Sequence, residues 1–110
     1  MGTRKALSPQ ARDAARVLGL EIARARRAQR RTAADVAERA GITRATLRKI
    51  ERGDPTVAIG TFFEVATLLG VALFGAEREE LARLVARGQD RVALLPARVR
   101  QPPATIDDDF

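Results

Sequence analysis

The sequence predicts an all-α protein: a compact five-helix domain, an extra C-terminal amphipathic helix and a flexible acidic tail. Three observations predict it. Apolar residues recur at helical rather than alternating spacing. The stretches they form open at Ser or Thr and close at Gly or just before Pro. The apolar supply is mostly Ala, Leu and Val, with four Phe and no Trp or Tyr, which suits helices packed closely on small side chains.

Taken in order, Ser8-Pro9 reads as N-cap and first helical position, because Pro there lacks only an N–H that had no partner. Ala14, Val17, Leu18, Ile22 and Ala25 then mark the inner face of a helix from about Pro9 to Gln29. Thr32-Ala33-Ala34-Asp35 has the layout of a capping box, with Asp shorter than the usual Glu or Gln. The short helix it starts carries Val36, Ala37 and Ala40 inward and stops at Gly41, which can take a positive φ. Thr43 caps a third helix with Leu47 and Ile50 inward, and Gly53 with Asp54-Pro55 ends it. A fourth helix spans about Val57 to Leu69 and closes at Gly70, and Val71 to Phe74 reads as one further helical turn. Glu77 to Val85 or beyond is amphipathic, with acids in its first turn, Gly88 interrupting it and Val92 to Leu95 as a last apolar patch. The expected organisation is a domain over 1–75, a helical dimerisation segment over 76–95 and a Pro-containing acidic tail over 96–110.

Composition excludes whole classes of chemistry. With no Cys and no His there is no disulfide, thiolate nucleophile, histidine base or zinc site of the usual ligands, and no metal or cofactor is expected. Acids and hydroxyls are scattered without a base to activate them, so an enzyme is the weakest of the functional classes. No signal-peptide pattern and no apolar run near membrane length is visible, and a cytoplasmic location without membrane contact is expected.

Charge points the other way, toward a polyanion. Residues 1–53 hold 14 Lys/Arg against 5 Asp/Glu, a net of +9, whereas residues 54–110 hold 6 against 9, a net of −3. Arg24, Arg26, Arg27, Arg30 and Arg31 fall within eight positions, and Arg44, Arg48, Lys49 and Arg52 within nine. Solvation explains any single Arg, but crowding of this kind is costly without an anionic partner.

Gly41-Ile42-Thr43-Arg44-Ala45-Thr46-Leu47-Arg48-Lys49-Ile50-Glu51-Arg52-Gly53 closely resembles the recognition-helix motif of the Cro/CI-type (XRE) helix-turn-helix family, and the likeness runs from about Leu18 to Val71. The resemblance implies that the second helix lies across the DNA backbone while the third enters the major groove. It assigns Arg44, Ala45 and Lys49 to base edges, with Arg48 on the same outward face, and Thr32, Ala33, Thr43, Thr46 and Arg52 to phosphates. Arg30 and Arg31 lie beside the phosphate-binding end of the second helix. The resemblance also implies an ion pair between Arg26 and Glu51. Two positions depart from the family: Ala33 stands where Gln is common, and Arg30-Arg31 where Gly-Leu is common.

Such domains act as two-fold dimers on inverted-repeat operators, and the expected seam is Leu73, Phe74, Leu81, Leu84, Val85, Val92, Leu94 and Leu95. Core packing is the competing reading for Leu81 and Leu84. The end of the chain, from Leu94-Leu95-Pro96 to Asp107-Asp108-Asp109-Phe110, is similar to HipB-like antitoxins, partners of kinase-like toxins. That tail can dock Phe110 on a partner, fold back on the Arg-rich face, or merely solubilise the chain. A repressor that is also an antitoxin and a stand-alone regulator therefore both stay open.

Overall fold

Each helix begins where a hydroxyl can accept a backbone N–H or where the preceding turn runs out. The computed structural model describes residues 6–100, and these form five α-helices and no strand. Helix α1 spans Pro9–Ala28, α2 Ala33–Ala40, α3 Arg44–Glu51, α4 Ile59–Leu68 and α5 Arg78–Ala93. Ser8 Oγ accepts from Ala11 N–H at 3.2 Å, Thr32 Oγ1 from Asp35 N–H at 3.0 Å and Thr43 Oγ1 from Thr46 N–H at 3.0 Å. Only half of the capping box at α2 forms. The Asp35 carboxylate turns to Arg39 at 3.0 Å and Arg31 at 3.3 Å, as expected of a side chain one methylene too short to reach back.

Three boundaries differ from those the sequence predicts. Helix α4 starts two residues later, because Asp54 Oδ1 accepts from both the N–H and the hydroxyl of Thr56, at 2.9 and 2.7 Å, and builds a turn there instead. Those bonds, the backbone one foremost, hold the Asp54 carboxyl below its ordinary pKa. Val71–Phe74 is not helical: Phe74 and Gly75 both take left-handed backbone, with φ of 56° and 66°. Helix α5 runs straight through Gly88 and takes in Val92, since one glycine weakens a helix by only about 1 kcal/mol. Residues 107–110, expected to form a docking tail, lie outside the described residues.

The chain divides into two units, Met1–Gly75 and Ala76–Phe110. In the first, α1 to α4 enclose one core of Ile22, Val36, Ala37, Leu47, Ile50, Phe62, Val65, Ala66 and Leu69. Leu18, Ala25, Ala33 and Ile42 pack at its edge. Val17, expected to be inward, is 58% exposed. It lies about 200° around the helix from Gly19, which is buried against α3. The second unit consists of α5 and its flanks, and no residue of α5 itself is buried.

Candidate nucleic-acid interface

Helix α2, the turn at Gly41 and helix α3 form a rigid corner. Gly41 has φ 73°, its N–H reaches Glu38 O at 3.1 Å, and Ile42 N–H reaches Ala37 O at 2.9 Å, which is the Schellman closure of a helix. A Cβ on Gly41 would meet nothing within 4 Å, so the backbone angle alone requires glycine. Val36, Ala37, Leu47 and Ile50 are all buried and fix the two helices to one core.

With Leu47 and Ile50 facing inward, α3 presents Arg44, Ala45, Arg48, Lys49 and the capping Arg52 to solvent. At 100° per residue these five positions fall within about 140° of the helix circumference. The one acid of α3, Glu51, is withdrawn from that face. Arg26 Nε donates to Glu51 Oε2 at 2.7 Å and Arg26 Nη2 to Glu51 Oε1 at 3.2 Å, with the two side chains only 14% and 13% exposed. Arg26 Nη1 donates to the Arg31 carbonyl at 3.0 Å. One guanidinium thus ties α1 to the end of α3 and to the segment leading into α2. The hydrogen bond that Arg26 donates to Glu51 raises the Arg26 pKa above its ordinary value, against the opposing pull of burial. The outer face of α3 is left purely cationic and apolar.

The residues assigned to phosphate sit in varied surroundings. Thr32 and Thr43 are exposed N-caps, and the Thr43 hydroxyl also donates to Thr46 Oγ1 at 3.0 Å. Ala33 opens α2 with its side chain against the core, so its backbone N–H, an orphan donor of the helix, is the group it offers to an anion. Arg31 is half-buried, with Nε bonded to Asp35. Arg39, with Arg31 behind it, holds the Asp35 carboxyl below the usual carboxylate range. Arg30 is exposed.

Arg30 also explains how the chain does without a glycine. The helices of the first unit all end in the same closure, and the left-handed position is Gly41 in α2, Gly53 in α3 and Gly70 in α4. In α1 it is Arg30, with φ 58°, while Arg31 N–H reaches Arg26 O at 3.1 Å. The helix therefore ends where a glycine would end it, with a cationic side chain in place of none. Left-handed backbone costs a residue with a Cβ about 1–2 kcal/mol. Arg30→Gly is expected to raise stability to urea by about 1 kcal/mol and to weaken binding to any duplex, because an exposed positive charge beside the start of α2 is lost. A variant less stable than the parent would contradict the strain.

Among the seam residues, Leu73 packs at the edge of the first core, whereas Phe74 is 78% exposed and meets Phe63 edge-on at 6.2 Å. Leu81 is half-buried, and Leu84, Val85, Val92, Leu94 and Leu95 are exposed.

Three contacts that seat α3 and close the bundle escape the sequence reading. Gly19 has no room for a Cβ, which would collide with the Ile50 carbonyl and lie 2.9 Å from Glu51 O and from Gly53 N. Arg16 Nη1 donates to Arg52 O at 3.4 Å, and Gln29 Nε2 to Leu69 O at 2.7 Å. A lone glycine inside α1 was the one visible signal.

Residues 22–74 match the family model described as helix-turn-helix. No curated protein and no solved structure matches the chain. Among the described residues no helix is long and apolar enough to cross a membrane. The match over residues 22–74, together with the all-helical fold and the α2–turn–α3 corner, supports a helix-turn-helix domain of the Cro/CI type and a DNA-binding transcriptional regulator.

Proposed function

We propose that the protein is a sequence-specific repressor that binds an inverted-repeat operator as a two-fold homodimer in the cytoplasm. Arg44, Ala45, Arg48 and Lys49 read base edges; Arg30, Arg31, Thr32, Ala33, Thr43, Thr46 and Arg52 hold phosphates. The observation that carries this reading is the outer face of α3, where every charge is positive and the only acid is bonded away to Arg26. Arg44 or Lys49 can donate to guanine O6 and N7, and the Ala45 methyl can sit against a thymine methyl.

The test is selection of a duplex from a random pool, followed by titration of the selected and a scrambled site at several salt concentrations. Arg44→Ala is expected to lose about 1–3 kcal/mol on the selected site and much less on the scrambled one. Arg52→Ala should weaken both alike and reduce the salt slope by about one log-log unit. A salt-independent affinity would sink the electrostatic reading.

A second reading extends the first. The tail ending Asp107-Asp108-Asp109-Phe110 favours an antitoxin that holds a kinase-like toxin and represses its own operon, because an aromatic flanked by carboxylates can dock in a basic-rimmed pocket. The alternative is a stand-alone regulator. Ending the chain after Pro103 separates them: the antitoxin loses its toxin and keeps its DNA, whereas the stand-alone regulator loses nothing.

A further inference from the structure

Among the described residues, one face of helix α5 is left largely uncovered. At helical spacing Leu81, Leu84, Val85, Gly88 and Val92 form one stripe, with Leu84, Val85 and Val92 exposed to 37%, 60% and 70%. Along it runs a shallow groove of about 500 Å³, lined by Leu84, Val85, Gly88, Gln89, Val92 and Ala93. Gly88 forms a dent in the stripe, since a Cβ there would meet nothing within 4 Å. A glycine in mid-helix is unfavourable for the helix alone and suits close approach by another backbone.

The charges beside the stripe select what can lie on it. Glu80 and Arg91 are eleven residues apart, about three full turns, and so sit on the same flank at opposite ends of the helix. Arg87 and Arg83, both 3.1 Å from the Glu80 carboxylate, keep it anionic by lowering its pKa. In a parallel two-fold pair this flank lies on opposite sides of the seam in the two copies, so Glu80 and Arg91 would not meet across it. An antiparallel copy sets Glu80 against Arg91 twice, and it also opposes the helix dipoles.

We propose that the occupant is a second copy of this chain, its α5 antiparallel to the first about a two-fold axis near Val85. This proposal rests on the dimeric reading above and gives it a geometry. In that register Glu80 meets Arg91 of the second copy, Leu81 meets its Val92, and Leu84 and Val85 enter the dent over its Gly88. One arrangement thereby satisfies the charges, the large side chains and the glycine together, and it is closed and isologous.

The full chain has no cysteine, so single cysteines report the geometry cleanly. Val85→Cys is expected to crosslink to itself with a short bismaleimide. Leu81→Cys and Val92→Cys should each fail alone and crosslink when mixed. In sedimentation, Glu80→Arg and Arg91→Glu should each raise the dimer dissociation constant about tenfold, and the double exchange should restore it. Circular dichroism checks that the helix survives. Crosslinking of Val92→Cys to itself as readily as in the mixture overturns the antiparallel pairing. A wild-type dimer in which Val85→Cys stays uncrosslinked overturns the role of α5 and leaves the dimeric reading standing. A wild-type chain that is monomeric at every concentration overturns both, while DNA titration of the monomer still reports on α3.

Discussion

Glu51→Ala is expected to cost the domain about 3–5 kcal/mol and to lower its melting temperature by at least about 10 °C. The reason lies in what the truncation leaves behind. Arg26, 14% exposed, keeps its bond to the Arg31 carbonyl and loses both bonds to carboxylate. A largely buried guanidinium without its anion is costlier than the pair is favourable, so a single truncation overstates the pair's own worth. Replacing both residues by Leu should therefore recover part of the loss. The pair joins α1, the end of α3 and the segment before α2, so its removal loosens the same three elements that aim the cationic face of α3.

Arg44→Ala supplies the contrast. Its side chain is exposed on α3, and surface substitutions away from such networks stay within about 0.5 kcal/mol. Its melting temperature should match the parent while binding to the selected duplex falls. Paired thermal melts and duplex titrations of Glu51→Ala and Arg44→Ala thus separate the residue that positions α3 from one that faces outward. Equal thermal losses in the two variants would remove that separation.

What the sequence made legible is mostly local chemistry. Ser8, Thr32 and Thr43 start helices because their hydroxyls accept an orphan N–H within one turn, and Gly41 ends one because its φ is positive. These effects act over three or four residues and can be read from them. The inward sets of α2 and α3 were equally legible, since each helix has one buried face and eight residues in which to show it. Helix α1 was harder. Its 20 residues carry Ala and Leu around much of the circumference, so Val17 fits the spacing and yet stays exposed, and the direction from which α3 approaches decides which set is inside. Gly88 misled for a different reason: its weak local penalty lost to the helix-compatible residues on either side. Arg30 shows the converse, a non-glycine held in a glycine conformation by the surrounding closure.

The close approach at Gly19 yields the second large effect. In an open helix, Gly→Ala is favourable by about 1 kcal/mol, and propensity alone assigns that gain to Gly19→Ala. The neighbours reverse the sign. The new methyl would collide with the Ile50 carbonyl and crowd Glu51 O and Gly53 N, all of them backbone atoms that cannot swing aside as a side chain can. Gly53 is equally confined, with Arg16 Cα and Ala15 O under 3 Å from where its own Cβ would lie. Helix α3 must then shift away from α1, and the Arg26–Glu51 bonds, which cross the same contact, lengthen with it. A net loss of about 2 kcal/mol or more is expected, with weaker DNA binding because the cationic face of α3 is re-aimed. Gly60→Ala is the matched comparison. Gly60 lies within α4, its added Cβ meets nothing within 4 Å, and the same methyl there should stabilise by about 0.5–1 kcal/mol. Urea denaturation of the two variants should therefore move the midpoint in opposite directions. If Gly19→Ala proves as stable as Gly60→Ala, α3 does not rest on α1 through this glycine, and the seat of the recognition helix lies elsewhere.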